Sequence, residues 1–98
     1  MKSGGAFFEW DTDKAATNAL QHGVNFEEGA LAFDDPLAVD LFDEDHTTLD
    51  EQRWQKIGFA GERLLFVVYA VRDERIRIIH ARPASKGMGR LYAKENQL

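Results

Sequence analysis

The chain has 98 residues, of which 44% are hydrophobic and 30% are charged, and this predicts one globular domain over residues 1–98 with a flexible lead-in at residues 1–6. It contains no cysteine, which excludes a disulfide scaffold, a cysteine-ligated metal site and a thiol nucleophile. The net charge of −5 argues against a nucleic-acid binder, but it averages an acidic half, residues 1–52 with a balance of −11, and a basic half, residues 53–98 with a balance of +6. Such asymmetry indicates a charged partner or substrate.

Two short helices are predicted in the first third of the chain. The first begins at an N-cap, either Asp11 or Thr12, and ends at Gly23, because glycine readily supplies the left-handed residue after a helix. The second begins at Asn25, where a glutamate three residues later fits a capping box. It ends before Pro36, since the residue before a proline is pushed out of helical geometry.

Four strands are predicted after these helices. They cover residues 37–41, 53–59, 64–71 and 75–82. Because the three connections between them are short, we expect an antiparallel meander. A C-terminal helix is favoured after Gly89, and helices are the only elements available to cover a face of the sheet. The expected fold is therefore α+β, with two N-terminal helices, a four-stranded antiparallel sheet and a C-terminal helix.

No targeting or membrane-spanning segment is predicted. The apolar stretch that opens at Phe7 is too short for a signal peptide. The longest apolar run has eight residues, 64–71, whereas a transmembrane helix needs about 20. We therefore expect a soluble, cytoplasmic protein that does not contact a membrane.

Arginine occurs only in the second half of the chain, and its planar guanidinium suits phosphate. Arginines on strands and at strand ends would form a basic face of the sheet. We single out Arg53, Arg63 and Arg82 because they lie at predicted strand ends. Arg75 and Arg77 alternate with isoleucines, so for them an ordinary solvated face is the open alternative.

Glu51 lies two residues before Arg53 on the same strand face, which allows either an acid–cation pair with a chemical role or a common surface ion pair. His46 lies in an acidic loop and is a metal ligand, a general acid or base, or an ordinary loop residue; the spacing of the acidic residues around it matches no standard metal site.

Residues 7–92 contain several distinctive local strings, which include Phe8-Glu9-Trp10-Asp11, His22-Gly23-Val24, Phe33-Asp34-Asp35-Pro36 and Ala81-Arg82. Together these strings resemble BrnT-type toxins. The resemblance implies a RelE-like ribonuclease fold. It also implies an endoribonuclease toxin of a type II toxin–antitoxin system, which cleaves RNA without a metal or other cofactor and inhibits translation.

The resemblance implies partners as well. The antitoxin would be a BrnA-like protein with a ribbon–helix–helix DNA-binding module, and it would neutralise the toxin while bound. Operator DNA would be contacted only indirectly, through the antitoxin, and a heterotetramer of toxin and antitoxin is one assembly that fits. RNA is the implied substrate.

Metal-free RNA cleavage needs a base for the ribose 2′-hydroxyl, an acid for the leaving 5′ oxygen and cations for the phosphate. On the resemblance, three arginines are expected to clamp the phosphate: Arg53, Arg63 and Arg82. His46 or Glu51 is the expected proton carrier. Tyr92 is expected to stack on a base or to position the phosphate. Lys14 and Asn18 match the family too, with a structural role as the alternative.

The chain departs from the family pattern in its last third. The family strand commonly reads Ile-Ser-Ala-Arg, and here His80 replaces the serine; its parity with Ile76 and Ile78 predicts that it lies on the apolar face. A glutamate common in the following segment is missing, and Gly87 and Gly89 loosen the helix. The alternative function is therefore a weakened or inactive toxin homologue that acts only as an antitoxin-binding corepressor.

Overall fold

The computed structural model describes residues 2–3 and 6–98, which form three helices and six strands. In chain order these elements are β1 Lys2–Ser3, β2 Ala6–Glu9, α1 Thr12–His22, α2 Phe26–Leu31, β3 Val39–Phe42, β4 Gln52–Ala60, β5 Arg63–Arg72, β6 Arg75–Pro83 and α3 Lys86–Glu95. Short 3₁₀ turns follow α2 at Ala32–Asp34 and β3 at Glu44–His46. Of the lead-in predicted to be flexible, residues 1, 4 and 5 lie outside the described residues, and the others belong to β1 and β2.

Both predicted N-terminal helices are confirmed, together with their caps. The Asp11 carboxylate accepts a hydrogen bond from the Lys14 N–H at 3.0 Å, which starts α1. Gly23 ends it at a φ of +66°, a left-handed conformation that costs glycine little. At the start of α2, Asn25 and Glu28 form the expected capping box.

The predicted meander is confirmed for β3 to β6, but the sheet is larger than four strands and is mixed. The strand order is β1-β2-β6-β5-β4-β3, and residues 7–9 of β2 pair in parallel with residues 75–77 of β6. The prediction of a wholly antiparallel four-stranded sheet was therefore wrong at this edge. The described part of the N-terminal segment is too short to show the alternation that identifies a strand.

The C-terminal helix is present, and it begins earlier than expected. Ser85 caps α3 by accepting a hydrogen bond from the Met88 N–H at 3.2 Å, so Gly87 and Gly89 lie inside the helix. The helix packs on the sheet through Tyr92, whose ring meets that of Phe59 edge to face at a centroid distance of 5.4 Å. This contact places α3 over one end of one sheet face.

The two faces of the sheet are covered differently. One face packs against α1 and α2 and forms the main core, whose largest members include Phe8, Phe26, Leu65, Val67 and Ile78. The opposite face has a smaller core of Ile57, Phe66 and Tyr92, which lies under α3. Beyond α3 this second face is not covered by a helix. The candidate site lies on this uncovered part.

Asn18 joins α1 to the edge of β6 beyond the residues that pair with β2. Its side chain is only 5% exposed. The amide Nδ2 donates to the Ala81 carbonyl at 2.7 Å, and Oδ1 accepts from the Ala81 N–H at 3.2 Å. Nδ2 also donates to the Val24 carbonyl at 2.9 Å. The side chain thus takes the place of a neighbouring strand, and of the two roles considered for Asn18 the structure shows the structural one.

Replacing Asn18 with alanine tests this join. The Asn18→Ala change leaves the N–H and carbonyl of Ala81 buried without partners, so we expect the free energy of unfolding to fall by about 3 kcal/mol. Urea denaturation measures this. The matched control is Thr17→Ala on the exposed side of α1, which should change stability by no more than about 0.5 kcal/mol. Equal effects of the two changes would contradict the assigned role.

Candidate active site

The strand register places five arginines on the sheet face opposite α1 and α2. We call this surface the arginine face, and its members are Arg53, Arg72, Arg75, Arg77 and Arg82. Arg53 and Arg77 lie on either side of Ala70 of β5, so their backbones are about 10 Å apart at the usual strand spacing. Arg72 lies opposite Arg75 across the hairpin turn. Five of the seven arginines therefore share one surface.

Glu51 holds two members of the arginine face. Its Oε1 accepts a hydrogen bond from Nε of Arg53 at 2.9 Å, and its Oε2 accepts one from Nη2 of Arg72 at 2.9 Å. The hydrogen bond from Arg53 lowers the pKa of Glu51, and burial raises it. The hydrogen bond from Arg72 lowers it as well, so the net pKa of Glu51 lies below its ordinary value. A carboxylate held in this way is a weak base, so the geometry suits a residue that positions two guanidinium groups better than one that carries protons.

His46 is oriented by a buried carboxylate. Its Nδ1 lies 3.0 Å from both carboxylate oxygens of Asp43, which is 7% exposed, while the imidazole itself is largely exposed. Burial raises the pKa of Asp43, but hydrogen bonds with His46 and Gln55 outweigh this effect. The net pKa lies below the ordinary value, so the group stays a carboxylate. The Asp43 N–H donates to the Arg53 carbonyl at 2.9 Å. The structure thus fixes the His46 loop beside the start of β4, where Glu51 and Arg53 lie.

Two arginines on this face keep their donors available. The guanidinium of Arg82 lies over the Phe66 ring, 4.6 Å from its centroid. Within residues 7–98, where side chains are described, neither Arg77 nor Arg82 forms an ion pair. Arg77 lines a polar depression of about 450 Å³ together with Glu9, Arg72, Asp73 and Arg75. This arrangement can bind a phosphate group.

Arg63 lies away from the arginine face, and Tyr92 is buried under α3 on the same side of the sheet. Arg63 lies at the opposite end of β5, where its Nη2 donates to Glu28 at 2.6 Å and to the Gly23 carbonyl at 3.2 Å. Tyr92 is 5% exposed, and its hydroxyl donates to Asp35 at 2.8 Å. Burial and Asp35 raise the pKa of Tyr92 to about 12. Their proposed roles in clamping phosphate and in stacking on a base remain predictions.

The sequence predicted a basic sheet face but did not single out three of its members as site residues. For Arg75 and Arg77 an ordinary solvated face remained an open alternative because they alternate with isoleucines, and Arg72 received no role of its own. A two-residue hairpin at Asp73 and Glu74 places the residues on either side of it opposite each other. The turn and the alternation along both strands together predict that these arginines lie on the same face.

Residues 10–87 match the family model described as ribonuclease toxin, BrnT, of type II toxin–antitoxin system. The chain belongs to this family. The matched segment includes every member of the arginine face and also Glu51 and His46, whereas Tyr92 lies beyond it. Comparison with curated proteins gave no match.

Membership of the BrnT family makes this protein a ribonuclease toxin of a type II toxin–antitoxin system. Within the part of the chain that the structure describes, no three His, Cys, Asp or Glu side chains are grouped so that they could hold a metal ion. None of its three helices is long and apolar enough to cross a membrane, as judged over the same residues.

Replacing Glu51 with glutamine tests whether its ion pairs with Arg53 and Arg72 stabilise the fold. The lowered pKa means that the ion pairs stabilise the fold above the ordinary value of 4.5, and that this contribution is lost as the pH falls through the lower value in the folded protein. We expect Glu51→Gln to cost about 1 kcal/mol at pH 7. The difference from the wild type should shrink below pH 4.5 in denaturation experiments. A difference that does not change with pH would contradict the ion-pair account.

Proposed function

We propose that this BrnT-family toxin is an endoribonuclease that cleaves RNA on its arginine face without a metal ion and thereby inhibits translation. The observation that carries the proposal is the gathering of five guanidinium groups on one open sheet face. Arg77 and Arg82 are available for a phosphate, and Glu51 fixes the direction of Arg53 and Arg72. Preorganised cations of this kind stabilise charge that develops on a phosphate in the transition state.

Cleavage at this face would follow the usual route for RNA. The ribose 2′-oxygen attacks the neighbouring phosphorus, the bond from phosphorus to the 5′ oxygen breaks, and a proton leaves the 2′-hydroxyl while another reaches the 5′ oxygen. Of the two proton carriers considered, His46 fits better than Glu51, because Asp43 orients its ring and leaves Nε2 facing away from that contact. The guanidinium groups supply the positive charge that a metal ion supplies in other nucleases.

The partners follow from membership in a type II toxin–antitoxin family. We expect a BrnA-like antitoxin with a ribbon–helix–helix module, bound so that it shields the arginine face from RNA. Operator DNA would then be reached only through the antitoxin, in a heterotetramer or a similar complex. A RelE-like fold over one domain and a cytoplasmic location complete the proposal.

Single alanine substitutions test the assignment of the site. We expect Arg77→Ala and Arg82→Ala each to lower kcat/KM for a short RNA by about 100-fold, because each removes a donor aimed at the phosphate. Lys94→Ala in the last turn of α3 is the matched control, since it removes one exposed positive charge that is not a member of the arginine face. Arg63→Ala decides whether that residue belongs to the clamp. Full activity of both arginine-face variants would contradict the proposed site.

Excess chelator tests the metal-independent mechanism. Cleavage of RNA by the purified wild-type protein is expected at the same rate with and without EDTA, because the cations of the site are side chains. Activity lost on chelation and restored by a divalent ion would contradict this part of the proposal. A wild-type protein that cleaves no RNA but binds its antitoxin would instead support the corepressor alternative.

A further inference from the structure

A β-bulge in β6 changes the direction of His80. Val68 of β5 pairs with His80, but the next residue, Tyr69, pairs with Ile78, so Ile79 is an extra residue in β6. Ile78 is 2% exposed and faces the main core. In a regular strand His80 would share the face of Ile78, as its parity predicted. The bulge overturns that expectation and places His80 on the opposite face of the sheet.

The contacts of His80 confirm this direction. Its ring lies 6.5 Å from that of Phe66, the same ring over which Arg82 lies. Ala81, the residue between His80 and Arg82, is fully buried in the main core, as alternation requires. His80 is therefore next to Arg82 on the arginine face, on the same strand as Arg77.

The imidazole of His80 can be reached from solvent. It lines a depression of about 280 Å³ between α1 and β6, together with Lys14, Gln21 and other side chains of α1. Its ring also meets that of His22 edge to face, at a centroid distance of 4.8 Å. The imidazole is thus accessible from solvent at the edge of β6, beside Arg82 on the same strand, and a second histidine fixes its position.

The groups around His80 favour its uncharged form. The charged or titratable side chains that face it are His22, Lys14 and Asp13 from α1 and Arg82 from its own strand, while β5 presents apolar side chains. Burial lowers the pKa of His80, and the electrostatic interactions with His22 and with Arg82 lower it further. An uncharged imidazole near neutral pH can accept a proton.

We propose that His80 is a catalytic residue of this ribonuclease, the base that takes the proton of the ribose 2′-hydroxyl at the arginine face. The inference rests on the proposed function. The 2′-oxygen forms its bond to phosphorus as its proton moves to the imidazole, and the bond from phosphorus to the 5′ oxygen breaks. The leaving oxygen takes a proton from water, and the hydroxide formed removes the proton from the imidazolium. The products are a 2′,3′-cyclic phosphate and a 5′-hydroxyl.

His22 is a positioning residue in this scheme. It touches the ring of His80 and lies at the end of α1, and its electrostatic interaction with His80 lowers the pKa of His80. Its removal should therefore leave a working base that is protonated at higher pH. This consequence separates a role in proton transfer from a purely structural role of the histidine pair.

The test is the pH dependence of single-turnover cleavage of a short RNA by the wild type, His80→Gln, His22→Gln and His46→Gln. We expect His80→Gln to cleave about 100-fold more slowly at pH 7 and to lose the fall in rate on the acidic side of the profile. Its affinity for a fully 2′-O-methylated RNA, which cannot be cleaved, should stay within about twofold of wild type. We expect His22→Gln to keep cleavage and to move the acidic fall to higher pH.

Two results would overturn the inference. One is a cleavage rate and a pH profile in His80→Gln that equal those of the wild type. This includes the case in which His46→Gln alone removes the fall in rate at acidic pH. The other is an acidic fall that does not move in His22→Gln, which remains informative if His80→Gln fails to fold. Failure of the proposed function has a different signature: the wild type cleaves no RNA, and Arg77→Ala and Arg82→Ala bind the methylated RNA as well as wild type does.

Discussion

The buried amide of Asn18 is the contact on which the arrangement of the site depends. The open edge of β6 presents a backbone N–H and carbonyl at Ala81, and buried backbone groups without partners are costly. Asn18 satisfies both and accordingly fixes α1 along that edge. α1 and α2 both pack on one face of the sheet, and His22 at the end of α1 meets His80.

The arginines are gathered more closely in space than the acidic residues. Arginines of β4, β5 and β6 share one face of the sheet. The carboxylates of the first half are spread over the helices and loops, and two of them, Glu9 and Glu51, lie beside the arginines. The net charge of −5 therefore says little about which surface meets a nucleic acid. A cluster of five arginines suits a site around one or two phosphates better than a long track along RNA. Glu51 keeps part of the cluster ordered instead of letting the guanidinium groups repel one another.

Local signals in the sequence predicted much of the fold. The helix caps at Asp11, Gly23 and Asn25 and the strand order of the meander were correct, because caps and short hairpins are determined by neighbouring residues. The parallel pairing of β2 with β6 could not be found in this way, since it joins segments more than 60 residues apart. Within the candidate site, the Glu51–Arg53 pair followed from i to i+2 spacing. The direction of His80 did not, because one extra residue in a strand reverses the parity that the prediction used.

The central claim is that the arginine face, and not the helical face, receives RNA. Chemical-shift mapping with a fully 2′-O-methylated RNA tests it most directly, because the side-chain Nε–H signals of arginine report contact with phosphate one residue at a time. The account predicts shifts at Arg77 and Arg82, with smaller ones at Arg53 and Arg72, and none along α2. Shifts confined to α2, with the arginine signals unchanged, would contradict it.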